Sequence, residues 1–497
     1  MKLGIIGGGP SGFYVASRIL SRTSRPLRID IYDRLWCPHG LVRYGVAPDH
    51  PEVKNCIHKF DTAASDPRLR FFGNVNVGNT GGFKHNLQIP VQSLLNNYTH
   101  LLLATGCTKP RLHPSLPPRK GVVVPALDIV HWYTAHPSTP SPPPLDKVKH
   151  ISLIGLGNVS LDVARILLMN PNELAPYDVP ESVLDVLRKS TVEHVSIIGR
   201  RGPLEAAFTT KELREMMELS EARMVPLDSP LLATDEGRKL TRQQTRTLDL
   251  LKKGSKNTFP VSPKKTWSLE FYRNPLGIIP GEGGHIHILT LGHTEVDKTT
   301  GKAVPTGLTT QLPTDLVITS LGFHGESFTL PPSSSSPHLD SHSTSPDLYS
   351  PTLGHLRTLP PVNRLISPNP SGHILKHMYA SGWAATGAKG ILATTMMDAY
   401  SVADAGILKD VVLADEEVES GRLEEELLLN PLEAFDVDLD SLPSEVEQGL
   451  CEGTVTTYEN WKKIDEAEVK RAKDGKERER MTSWEEAKAF LREVSNV

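Results

Sequence analysis

Two glycine-rich turns, each preceded by a short apolar strand and followed by a helical pattern, predict an α/β protein with two Rossmann-like dinucleotide-binding domains. A chain of 497 residues, 38% of them hydrophobic and 23% charged, has room for two to four domains and a sizeable core. No apolar run approaches the ~20 residues that a membrane span requires. The four cysteines, Cys37, Cys56, Cys107 and Cys451, form no C-x-x-C pair. That spacing argues against a zinc ribbon, a disulfide framework or a four-thiolate iron–sulfur cluster.

The first turn follows the apolar residues 3–6 and reads Gly7-Gly8-Gly9-Pro10-Ser11-Gly12. A helical pattern comes next, then a second strand that ends at Asp33. Gly7 permits the tight turn, Gly9 lets a pyrophosphate approach the backbone, and Gly12 lets helix and strand pack closely. The helix start offers unpaired N–H groups to the phosphates. Asp33 is placed to accept hydrogen bonds from a ribose diol.

The second turn begins after residues 151–154 and reads Gly155-Leu156-Gly157-Asn158-Val159-Ser160, with a serine where the third glycine stands. The following strand, H-V-S-I-I-G, ends in Arg200-Arg201 rather than in an acid. Two guanidiniums favour a 2′-phosphate, so this site is expected to take NADP(H) in preference to NAD(H). An acid-tipped and an arginine-tipped site in one chain imply FAD in the first and NADPH in the second, with hydride passing between them. Apolar runs ending in glycine at 101–106 and 315–323 are expected to cross between the domains, and 378–383 to return. The expected division is an FAD domain in two parts, 1–107 and 326–497, with an NADP domain inserted at 108–325. The second part carries a C-terminal extension, and its Ser/Pro-rich residues 331–346 are expected to be a mobile surface insertion.

The formal net charge of -4 conceals two opposed blocks. Residues 238–265 carry nine Lys/Arg against Asp249 alone, and residues 415–447 carry thirteen Asp/Glu against Arg422 alone. With no redox-active cysteine pair, the electrons need an external acceptor, and a small acidic iron–sulfur protein suits the basic block. Arg238, Arg242 and Arg246 recur every four residues, near one helical face, and form the expected dock.

The strings G-G-G-P-S-G-F-Y, H-G-L-V-R-Y-G-V-A-P-D-H-P-E-V-K-N, G-N-V-S-L-D-V-A-R-I-L-L, I-I-G-R-R-G-P and A-A-F-T-T-K-E-L-R-E-M run through the chain, followed by S-G-W and G-I-L-A-T-T-M. On these residues the sequence resembles the adrenodoxin reductase family of mitochondrial NADPH–ferredoxin reductases. The resemblance implies FAD contacts at Gly7, Gly9, Ser11, Gly12, Asp33, Leu41, Val77, Trp383, Gly390, Ile391 and Leu392. It implies NADP contacts at Leu156, Gly157, Asn158, Val159, Arg200, Arg201 and Glu212, with Gly390 shared. His50 and Asp162 match residues beside the flavin, where a protonation or positioning role is expected. It further implies a [2Fe-2S] ferredoxin partner serving iron–sulfur cluster, haem or steroid pathways. Localisation in the mitochondrial matrix or on the matrix face of the inner membrane also follows, although no presequence is visible ahead of the first strand. No nucleic acid partner is expected, and peripheral membrane contact stays open. Two departures stand out: His39 where an aromatic is expected, and Lys389 beside the shared glycine. Two other classes remain open at this point, an FAD/NADPH oxidoreductase with a small organic acceptor and a non-catalytic nucleotide-sensing module.

Overall fold

Parallel strands organise the chain, as a sequence of short apolar runs alternating with helical patterns requires. The structure, a computed structural model, describes all residues except 79–80, 234–238, 257–262, 282–285, 332–345, 369–373, 411–436, 474 and 496–497. Arg238, most of the Ser/Pro-rich 331–346 and most of the acidic block therefore lie outside the described residues.

In the first sheet, Lys2–Ile6 lies between Arg28–Asp33 and His100–Leu103, with Leu69–Gly73 outside the former. All these neighbours are parallel. The chain returns to the same sheet near its other end: Ile374–Ala380 pairs in parallel with His100–Leu103. Arg364–Ile366 and Thr358–Leu359 then extend it antiparallel. Lys2–Ile6 is buried along its whole length, including Lys2. The Lys2 ammonium is satisfied by the Asp438 carbonyl at 2.9 Å, the Ser441 carbonyl at 2.8 Å and the Ser441 hydroxyl at 2.7 Å.

The second sheet has six parallel strands in the order Ala222–Met224, Lys265–Glu270, His194–Ile198, His150–Ile154, Leu316–Thr319, Val123–Pro125. Between the two sheets the chain crosses twice, at Lys109–Pro110 and Phe323–His324, and these two segments pair antiparallel. Arg34 and Thr108 grip Glu326 at this crossing, the guanidinium with two bonds of 3.0 Å. A three-stranded antiparallel sheet, Arg273–Pro280, His287–Val296 and Ala303–Thr314, had no counterpart in the sequence reading.

The C-terminal helix Tyr458–Lys470 packs against the edge strand Leu69–Gly73 of the first sheet, and Trp484–Ser495 packs against that helix. Trp461, Ile464, Met481 and Trp484 form a buried cluster with Leu35, Trp36 and Tyr44. From this layer Arg480 reaches across the molecule. Its Nε donates to Asp178 at 2.6 Å and its Nη2 to the Arg43 carbonyl at 2.9 Å; it also donates to the Thr134 carbonyl. Lys54 meets the same carboxylate at 3.2 Å. Burial alone would raise the Asp178 carboxyl, but the cations around it, Arg480 first, hold it well below the usual carboxylate range.

Replacing Arg480 by Ala leaves Asp178 buried without its two-pronged partner, a loss of about 3–5 kcal/mol. Urea denaturation is expected to show a clearly lowered midpoint, and an unchanged midpoint would refute the coupling. The depressed carboxyl fixes the sign of the pH dependence. This contribution is present above about pH 4, the unfolded value, and fades as the pH falls below it. In Arg480→Ala that acid-side slope is expected to flatten.

Candidate functional site

Both glycine-rich turns end a central parallel strand and start a helix, so their N–H groups open at the carboxyl edge of a sheet. The helix Pro10–Arg22 has proline in its first turn, where a missing N–H costs nothing, and Gly9 as its N-cap. Gly7 adopts φ 113°, and a Cβ there would lie 2.4 Å from the Ala104 carbonyl oxygen. At Gly12 a Cβ would lie 2.4 Å from the Gly7 oxygen. A Cβ at Gly9, by contrast, would meet no protein atom within 4 Å. The second turn repeats this division. Gly155, at φ 133°, is closed off by the Ser320 carbonyl, while a Cβ at Gly157 would again meet nothing. In each turn, then, the first glycine is needed for packing and the middle one borders open space of the kind a pyrophosphate fills.

Asp33 is buried, and its two oxygens accept from the Gly8 N–H at 2.6 Å and the Leu35 N–H at 2.7 Å. Burial pushes its carboxyl up to about 6 against the pull of those N–H groups. The carboxylate thus braces the turn while retaining lone pairs for a further donor. Leu41 opens the short helix Leu41–Tyr44 directly after Gly40, whose Cβ position lies 3.1 Å from the Gly9 Cα. Val77 is buried in the strand Val75–Val77.

The C-terminal portion reaches the same turn through a polar relay. The Ser11 hydroxyl donates to Ser381 at 2.7 Å, and Ser381 to Asp398 at 2.9 Å. Asp398 also accepts from the Gly382 N–H at 2.7 Å and from Asn363 at 2.8 Å. It lies on the helix Leu392–Ser401, which begins just after Gly390 and Ile391. Gly390 is at φ 82°. Trp383 donates its indole N–H to the Lys389 carbonyl at 3.0 Å, which ties the loop back to the next helix. The Lys389 side chain is exposed.

At the second turn, Asn158 accepts the Thr209 N–H at 2.8 Å, and the Thr209 hydroxyl donates to Glu212. Leu156 covers Gly199, where a Cβ would lie 2.1 Å from its Cδ1. Val159 is half-buried against the second domain's core. The backbone carbonyls of Arg200 and Arg201 are held by Thr294 at 2.7 Å and by Tyr272 at 3.3 Å. Neither guanidinium is paired with a carboxylate among the described residues. The antiparallel sheet thus serves to fix the arginine loop.

His50 and Asp162 sit in one charged cluster with Asp49, Arg165 and Glu215, three residues the sequence reading missed. Arg165, 1% exposed, is held by Asp49 at 2.7 and 3.0 Å. Its Nη1 lies 2.9 Å from Asp162 and 3.2 Å from Glu215. The Asp162 contact is close but misaligned, so both atoms lack a hydrogen-bond partner. His50 Nε2 is 2.9 Å from Glu215 and 3.2 Å from Arg165 Nη2. Burial disfavours a charged His50, but the Glu215 hydrogen bond and the nearby carboxylates outweigh burial and Arg165, so its pKa is raised. Burial also raises Asp162, partly offset by Arg165. A cavity of about 250 Å³ opens onto His50, Asp49, Arg165 and Glu215. The signal available in sequence was local: Asp49 adjoins His50, and Arg165 falls one helical turn after Asp162.

Arg242 and Arg246 are exposed on the helix Arg242–Lys253, together with Lys252 and Lys253. The helix starts at Arg242, capped by Thr241 and Gln244, and carries Arg242 and Arg246 of the expected repeat, while Arg238 lies outside the described residues. Gln244 also donates to the Leu204 carbonyl at 3.0 Å, which ties this helix to the turn after Arg200-Arg201.

Replacing Gly9 by Ala puts a methyl group only into the open space of the first turn. The folded protein is expected to persist by circular dichroism while its bound flavin, read as the ratio of visible to ultraviolet absorbance, drops several-fold. Full flavin retention would mean that this space does not hold the dinucleotide.

No family model matches the chain. Curated relatives do. The chain is 31% identical over 490 residues to the NADPH:adrenodoxin oxidoreductase, mitochondrial, of Drosophila melanogaster, covering 98% of this chain and 92% of that one. It is 32% identical over 508 residues to the Bos taurus protein of the same name, covering 98% and 91%. Among solved structures, FprA of Mycobacterium tuberculosis in complex with NADPH superposes with a TM-score of 0.77 at 29% identity, over 99% of both chains. A histidine-to-glutamine variant of FprA matches equally well, with a TM-score of 0.77.

Proposed function

The chain belongs to the NADPH:adrenodoxin oxidoreductase family, and we propose that it passes electrons from NADPH through FAD to a [2Fe-2S] ferredoxin. The observation that carries this reading is the pair of turns with open space at Gly9 and Gly157, each at a helix start, in one chain. When bound, the flavin supplies acceptance of an electron pair and release of single electrons.

The chain's own residues bind, orient and hold protons. Gly7, Gly9, Ser11 and Gly12 form the FAD pyrophosphate turn, and Asp33 accepts from the ribose. Leu41, Val77, Trp383, Gly390, Ile391 and Leu392 border the rest of the flavin, and Gly390 faces the nicotinamide as well. Leu156, Gly157, Asn158, Val159 and Glu212 hold NADP, with Arg200 and Arg201 on its 2′-phosphate. Support for the arginine role is that neither side chain has a carboxylate partner among the described residues while their backbone is fixed. His50 faces Glu215 through Nε2, and that hydrogen bond favours its protonated form, while Arg165 places its charge 2.9 Å from Asp162. In this reading residues 1–107 and 326–497 make the FAD domain, and residues 108–325 make the NADP domain.

The ferredoxin docks on the exposed cations of the helix Arg242–Lys253, with Arg242 and Arg246 foremost. Opposite charge steers encounter and fixes orientation. The relatives are named mitochondrial, and we place this chain in the same compartment. No described helix is long and apolar enough to cross a membrane.

Converting Arg200 and Arg201 together to Ala is expected to raise the KM for NADPH at least tenfold while leaving flavin content and the NADH rate unchanged. Equal NADPH and NADH rates in the parent enzyme would remove the arginine argument. Ferredoxin reduction is also expected to slow steeply as salt is raised from 0.05 to 0.3 M, since the Debye length shortens to below about 8 Å. Arg242→Glu should flatten that dependence, and a response identical to the parent would move the dock elsewhere.

A further inference from the structure

At the edge of the first sheet opposite the glycine turn, two histidines and a carboxylate converge. His100 opens the strand His100–Leu103 and pairs in register with Leu3, while the turn follows Ile6 at the far end of that neighbour. His377 lies one residue before Met378, the partner of Leu101, so the two histidines are side by side on adjacent strands. Their rings stack at 4.3 Å. Asp410 completes the group, and one ligand atom from each of the three lies within 4.8 Å of the others.

Four further features suit a metal ion. The Nε2 of His100 is buried and has no hydrogen-bond partner, the state that costs most when nothing fills it. Its other nitrogen, Nδ1, is 2.9 Å from the Thr99 hydroxyl, while the Thr99 backbone is hydrogen-bonded to the His377 ring. One residue thus orients both imidazoles, as the outer partners of ligating histidines do. Asp410 is fixed in turn by Arg364 at 2.6 Å and by the Tyr379 hydroxyl, and each of its oxygens retains a lone pair. His377 and Asp410 are only partly buried, which leaves a path for an ion.

We propose that His100, His377 and Asp410 bind a divalent transition-metal ion of the zinc type. Two imidazoles and a carboxylate are a borderline donor set that Zn²⁺ accepts in tetrahedral geometry, with water in the fourth position. Bonds of about 2.0–2.2 Å bring ligand atoms to within about 3.5 Å of each other, a tightening of about 1 Å from the 4.8 Å within which they lie. The ion would clamp the returning strand Ile374–Ala380 and the end of the helical run before residue 411 onto the first sheet. Its distance from the glycine turns makes the clamp structural, so electron transfer is not expected to need it.

The test uses the flavin-loaded protein, stripped with a chelator and titrated with Zn²⁺ against a chromogenic competitor. One equivalent is expected to bind and to raise the melting temperature, with the rate of flavin reduction by NADPH unchanged. In His377→Gln and Asp410→Asn the affinity should fall at least tenfold and the thermal shift should vanish, while flavin content stays at the parent level. Zinc bound with parent affinity in both variants would locate it elsewhere, at the exposed Cys451 for instance, and would overturn the assignment. So would the absence of any stoichiometric binding. Because both variants alter partly buried positions, retained flavin reduction by NADPH is the control that they have folded.

Discussion

The carboxylate of Asp178 is where three separate parts of the chain meet. Lys54 comes from the N-terminal part of the first domain, Arg480 from the C-terminal layer, and Asp178 itself from the segment between the second glycine turn and the arginine pair. Buried ion pairs of this kind add little stability beyond what apolar packing would give, because desolvation consumes most of the attraction. What they do is penalise every arrangement in which one partner is left alone. Arg480 also takes the carbonyls of Arg43 and Thr134, so its guanidinium is satisfied only when both sheets are in place. Arg43 in turn is held by Glu468 at 2.7 Å, with neither side chain appreciably exposed. The network therefore acts as a specification of geometry. Two nucleotides bound on different sheets react only if their ends are held at a fixed separation, and a rigid crossing provides that.

The second junction works by different means. Glu326 and Arg34 meet where the two crossing segments pair, and the pair is part-exposed. Together with the Asp178 network it gives the two sheets a second link. That cluster contains three carboxylates around one guanidinium and one imidazole. The carboxylates raise the His50 pKa against its burial, while burial raises Asp162 against the pull of Arg165. Both effects depend on side chains from the loop at Asp49-His50 and from the helices Asn158–Leu168 and Thr210–Met217 at once, so the cluster exists only in the assembled molecule.

The glycine turns were legible because their physics is local. Six residues set the turn, and the neighbouring strand and helix are contiguous with it. Arg200 and Arg201 were legible for the same reason, as the tip of a strand. The braces were not. Ser381 and Asp398 reach Ser11 across more than 350 residues of sequence, and no local pattern distinguishes them from other polar residues. The start of the basic helix is written in a local signal. Thr241 with Gln244 three residues on is a capping box, and it sets the first helical residue at Arg242. His39 shows the opposite case. An aromatic was expected there, and the imidazole takes that role, packed against Phe13, Phe60, Tyr458 and Trp461. Burial pushes its pKa down to about 3, so it stays neutral, with Nε2 bonded to the Tyr458 hydroxyl at 3.0 Å.

The scarcity of cysteine gains a structural meaning at Cys107. This thiol lies beside the proposed flavin site, 3.2 Å from the Trp383 carbonyl. A cysteine there invites comparison with reductases that pass electrons on through a thiolate. Burial, against a weaker pull from Arg111, pushes Cys107 up to about 11, so it remains a protonated thiol at neutral pH. Cys37 is buried and raised further, and Cys56 is raised as well. None of the four cysteines is paired. A protonated, unpaired thiol neither attacks a disulfide nor accepts an electron pair from a flavin. In the proposed reading the electrons therefore go to an external carrier, and the exposed cationic helix tied to the arginine turn offers such a carrier opposite charge.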